Sequence, residues 1–83
     1  MATIILEHRF EGGPFDAELF NAAQERNAPC LRAHGVRHTV SYVTRDGLCM
    51  ICVFDAPDAE AVRQAARQLG LRHDAVWAAT VVS

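Results

Sequence analysis

Seven consecutive apolar residues, Leu48-Cys49-Met50-Ile51-Cys52-Val53-Phe54, constrain this chain more than any other stretch. Read as a strand, with side chains alternating between faces, the run places Leu48, Met50, Cys52 and Phe54 on one side and Cys49, Ile51 and Val53 on the other. Both sides are apolar. Residues Ala75 to Val82 repeat the pattern, with Val76, Ala78 and Val82 opposite Trp77, Ala79 and Val81. In a chain of 83 residues, one helical layer covers only one face of such a sheet. The other face predicts a homodimer or higher homo-oligomer, most simply with a second copy placed about a two-fold axis.

The rest of the chain supplies the elements around these strands. Ala2 to Phe10 reads as a first strand, stopped by Glu11-Gly12-Gly13-Pro14. Asp16 is placed to cap a helix that runs to about His34, with Gly35 as its stop and a kink or break expected near Glu25 because Pro29 supplies no N–H. Val36 to Thr44, the turn Arg45-Asp46-Gly47 and Leu48 to Phe54 form a hairpin. Pro57-Asp58 opens a second helix, ended by Gly70, and Ala75 to Val82 is the last strand. The helix-facing core is expected to include Leu19, Ala23, Leu31, Val62, Ala66 and Leu69. Residues 1–83 thus read as a single α+β domain of the ferredoxin-like βαββαβ kind, a four-stranded antiparallel sheet with two helices on one face.

Composition removes several function classes. Hydrophobic residues make up 51% and charged residues 22%, enough apolar surface to offset the ordering entropy of folding. The net charge is −2, and the eight basic residues are all arginine, so a basic face for nucleic acid is not expected. The N-terminal apolar stretch is broken by Glu7, His8 and Arg9, which argues against a signal peptide or a membrane span and for a cytoplasmic protein. Cys49 and Cys52 are spaced as a CxxC pair, but positions i and i+3 of a strand face opposite ways, so with Cys30 they read as reduced thiols.

Four histidines, His8, His34, His38 and His73, supply the side chain most used to bind transition metals, and no two show chelating helical spacing. His8, His38 and His73 are the candidate metal ligands. Glu7 and Arg9 share the face opposite His8, and with Tyr42 they frame a candidate ligand pocket on the apolar sheet floor. Thr39, Ser41 and Tyr42 offer hydroxyls without a histidine base at a defined distance, so nothing amounts to a catalytic nucleophile.

Specific residues appear from Gly35 onward: Gly35-Val36-Arg37, Ser41-Tyr42-Val43, Asp46-Gly47, Cys52, Asp55 to Val62, Gly70-Leu71 and Asp74. In these the chain resembles a family of small bacterial ferredoxin-like proteins of largely unknown function that includes a nickel-binding dimeric member. His8-Arg9 also resembles the His-Arg pair of that nickel binder, where many relatives carry Glu-Arg. The resemblance implies the fold, a homodimer, and nickel or another divalent transition metal, with His8 carried over by position. His38 stands where relatives often have an aromatic residue, and Arg72-His73 replaces their Pro-Ala. His38 and His73 join the ligand set on donor chemistry alone.

Two functions follow as expectations. The first is a non-enzymatic metal-binding homodimer built around His8. The second is a small-molecule binder or enzyme using a cavity on the open sheet face, with Arg9 and Tyr42 as polar contacts.

Overall fold

β-branched and aromatic residues are frequent where the strands form, and carboxylates and glycines mark the helix ends. The computed structural model describes residues 1–11 and 15–82. In chain order these form β1 (Ala2–Arg9), α1 (Ala17–Ala33), β2 (Arg37–Val43), β3 (Cys49–Ala56), α2 (Ala59–Leu69) and β4 (Ala75–Ala79). The strands make one antiparallel sheet in the order β2-β3-β1-β4, the ferredoxin-like arrangement. Gly12, Gly13 and Pro14, expected to end the first strand, lie outside the described residues. Among the described residues, no helix is long and apolar enough to cross a membrane.

The caps explain the helix boundaries. Asp16 Oδ1 accepts from the N–H groups of Glu18 and Leu19 at 3.0 and 3.1 Å, and Asp58 Oδ1 accepts from Ala61 N–H at 2.8 Å. Gly70 ends α2 in the left-handed region, at φ 68°, which costs a glycine little. Helix α1 runs through Pro29 without the break expected near Glu25. Pro29 and Glu25 are both exposed, so the carbonyl that loses its intrahelical partner sits on the water side.

Which sheet face meets the helices is decided by packing. Ile4, Leu6, Cys52, Phe54, Ala56 and Val76 are buried against Leu31 of α1, Val62, Ala65 and Ala66 of α2, and Val36. Leu19, expected in this core, is 70% exposed. At 3.6 residues per turn the twelve steps from Leu19 to Leu31 leave the two side chains about 120° apart around the helix, so they cannot share one stripe. Ala23 and Leu69 are half-buried at the core's edge.

β4 is shorter than expected, ending at Ala79 rather than Val82. Its neighbour β1 starts at Ala2, and Ala79 already pairs with Thr3, so Val81 and Val82 run past the end of the ladder. The open face presents Ile5, Ile51, Val53, Val40, Tyr42 and Trp77. Tyr42 is 64% and Trp77 45% exposed.

Candidate metal and ligand site

His8 sits near the end of β1 on the helix-facing side, opposite Met50 of β3. Its ring packs edge-on against Phe10, centroids 4.9 Å apart. The Nδ1 atom is buried and has no hydrogen-bond partner, an arrangement that costs free energy unless something occupies it. The nearest carboxylate oxygen is Oδ2 of Asp74, at 3.9 Å. That separation is beyond a hydrogen bond.

Asp74 is held firmly. Its backbone N–H donates to the carbonyl of Glu7 at 2.8 Å, and its Oδ2 accepts from the backbone N–H of Arg9 at 2.6 Å. The loop before β4 is thereby pinned to the end of β1. A groove of 440 Å³ opens there, lined by His8, Phe10, Glu11, Arg72, His73 and Asp74. His8 and His73 therefore line the same groove, while the His73 ring leans toward the Leu71 carbonyl, 3.4 Å from Nδ1. Among the described residues, no three His, Cys, Asp or Glu side chains converge closely enough to hold an ion by themselves.

His38 lies elsewhere. β2 carries a bulge between His38, which faces Phe54, and Val40, which faces Val53. The extra residue, Thr39, shifts the alternation, so that His38 and Ser41, three apart, point to the same side. His38 Nε2 is 2.7 Å from Ser41 Oγ, and the Ser41 hydroxyl donates to Cys52 Sγ at 3.1 Å. With its hydrogen directed at sulfur, the Ser41 oxygen accepts from His38 Nε2–H. Burial lowers the His38 pKa. Burial raises that of the Cys52 thiol, against the Ser41 hydrogen bond, so this chain of groups holds a neutral thiol rather than an activated nucleophile.

On the open face, Glu7, Arg9 and Tyr42 line one groove of 360 Å³, together with Thr44, Cys49 and Ile51. The Trp77 indole N–H donates to Glu7 Oε2 at 2.7 Å, so the Glu7 carboxylate has a fixed place at the groove's edge.

Sequence reasoning missed Asp74 as a partner of His8. The available signal was an acidic residue at the mouth of the last strand, which a β1–β4 pairing brings beside the end of β1.

Residues 5–78 match the family described as SCO4226-like, nickel responsive protein SCO4226-like. The chain belongs to this family. Among solved structures, the SCO4226-like fold is shared with the protein described as SCO4226 from Streptomyces coelicolor A3(2), at a TM-score of 0.84 and 17% identity, covering 99% of this chain and 100% of that one. At that identity the likeness speaks for the fold. No curated protein is significantly similar to this SCO4226-like chain.

Proposed function

We propose that this protein takes up a divalent transition metal, nickel by the description of its family, through His8 and Asp74, and that it works as a homodimer. The observation that carries this reading is the buried, unpartnered Nδ1 of His8, 3.9 Å from Asp74 Oδ2. Imidazole and carboxylate both suit divalent transition metals. Two donors each about 2.0–2.2 Å from one ion stand roughly 3.4 Å apart at the tetrahedral angle of zinc sites, so the His8–Asp74 pair, 3.9 Å apart, closes on a shared ion with a shift of about half an ångström.

Within one chain, His8 and Asp74 make two donors, with His73 in the same groove. A second copy or water supplies the rest of the coordination shell. The Asp74 backbone N–H donates to the Glu7 carbonyl and its carboxylate accepts from the Arg9 N–H, which keeps its oxygen near His8 before any ion arrives. The ion is cargo or signal, and the chain's part is to hold it. A cytoplasmic setting belongs to the reading, supported by three cysteines that are all free.

Isothermal titration of metal-free protein with Ni²⁺ tests it. Native protein is expected to bind at micromolar concentration. His8→Ala and Asp74→Asn, the second of which keeps an oxygen for the Arg9 N–H, should each weaken binding by about tenfold or more. Equal binding by the native protein and both variants would overturn the site.

The open-face groove supports a second reading, a small-molecule site using Arg9 and Tyr42. Its 360 Å³ falls within the range usual for ligand pockets, about 300–1,000 Å³. A dimer interface that packs this groove solid, seen in a crystal of the dimer, would remove that reading.

A further inference from the structure

The two helices cover the sheet unequally, and the difference leaves a space. α2 lays Ala65 and Ala66 flat against the strands, whereas Leu31 is the only buried side chain of α1. The inward stripe of α1 runs Phe20, Gln24, Asn27, Leu31, a helical i, i+4, i+7, i+11 series in which two of four positions are amides. Between this stripe and β1 and β3 lies a cavity of 300 Å³.

Its apolar wall is built from Leu6, Phe10, Phe20, Met50 and Phe54. Four of its lining rings, His8, Phe10, Phe20 and Phe54, belong to a string of six that continues through Phe15 and His38 with centroids 4.9–6.5 Å apart. Every pair in the string is tilted or edge-on, the geometry that aromatic pairs prefer and that an added ring would share. The polar lining is confined to His8, the Gln24 and Asn27 amides, and Arg72. Arg72 is exposed and forms no ion pair among the described residues.

Protein cores are close-packed, and an apolar cavity of about 150 Å³, half this size, takes up benzene. We propose that the space under α1 is a binding site for a small planar aromatic molecule bearing one acidic group. The ring sits among Phe10, Phe20 and Phe54, the amides of Gln24 and Asn27 meet its polar edge, and the Arg72 guanidinium receives the acid. The site is on the helix side of the sheet, apart from the open-face groove. It borders the groove of the metal reading and shares His8, Phe10, Leu71 and Arg72 with its lining.

The probe is 2-naphthoate, titrated into metal-free protein and followed by calorimetry and by proton NMR, so the outcome does not depend on nickel. Native protein is expected to bind it, with Overhauser contacts to the Leu6 methyls and none to the Trp77 indole. Ala23→Leu, which fills the cavity from α1, should abolish binding while the melting temperature holds or rises. Arg72→Gln, on the surface, should weaken 2-naphthoate about tenfold and leave its neutral counterpart 2-naphthamide unchanged. Absence of binding at millimolar probe would overturn the proposal. So would full binding by Ala23→Leu, or contacts to Trp77 in place of Leu6, the mark of the open face.

Discussion

The indole N–H of Trp77 donates to the Glu7 carboxylate across 2.7 Å, tying β4 to β1 on the side of the sheet that the helices leave bare. With its polar edge satisfied within the sheet, the Trp77 ring contributes apolar surface beside Ile5, and a polar tip that would have resisted a dry contact is already paired.

That face is expected to bury itself in a homodimer. Hiding a few hundred Å² at roughly 25 cal/mol per Å² contributes on the order of 10 kcal/mol before association entropy is subtracted. Ile51 lies near the middle of the face, between Glu7 of β1 and Tyr42 of β2. Ile51→Glu should convert a dimer into a monomer and lower its melting temperature. Sedimentation equilibrium at low micromolar protein decides between them: a native species of 9.1 kDa would refute the dimer.

Val62 anchors α2 on the sheet and is 2% exposed. Val62→Asp places an unpaired carboxylate among apolar side chains and is expected to cost on the order of 3–5 kcal/mol. Thermal unfolding followed by circular dichroism measures it, and an unchanged melting temperature would contradict this packing.

His38 makes stability depend on pH in one direction. Burial lowers its pKa in the folded state below the ordinary 6.5, so the unfolded chain takes up a proton first as pH falls. The contribution is intact above about pH 6.5 and is lost as the solution is acidified from there toward the lower folded value. Melting curves of metal-free protein between pH 8 and 5 should show the decline, and His38→Gln should flatten it. Asp46, held down by its hydrogen bond from Thr44, and Glu60, held down by Arg67, act at lower pH, where carboxylates protonate.

The thiols should differ in reactivity. Cys52 is buried with its pKa raised, whereas Cys49 faces the open groove. Iodoacetamide without reductant, applied to the Ile51→Glu variant in which the open face is free, should label Cys49 well before Cys52, read by mass spectrometry of peptides. A Cys49–Cys52 bridge would contradict the placement of these residues on opposite faces of β3.

Much of the architecture was legible because it depends on local rules. Period-two alternation put Met50, Cys52 and Phe54 on one face and Cys49, Ile51 and Val53 on the other, and the pairing of β3 with β1 and β2 keeps that division. Asp16, Asp58, Gly35 and Gly70 mark helix ends through hydrogen bonds and backbone angles that involve only near neighbours. Leu19 was misplaced for a related reason: in α1 the apolar residues do not fall on one stripe, and the amides at Gln24 and Asn27 occupy the inward one.

The sequence by itself determined the order of strands and helices, their caps, and the two apolar faces of β3, since each follows from spacing along a few residues, whereas the end of β4 and the unbroken course of α1 through Pro29 did not follow from it. Tertiary structure alone decided which face the helices take, that the bulge at Thr39 turns Ser41 toward His38, and that Asp74 comes within 3.9 Å of His8. Those outcomes depend on contacts between residues distant in the chain. Asp74 and His8 are brought together by the pairing of β4 with β1, a relation that no local pattern of side chains encodes.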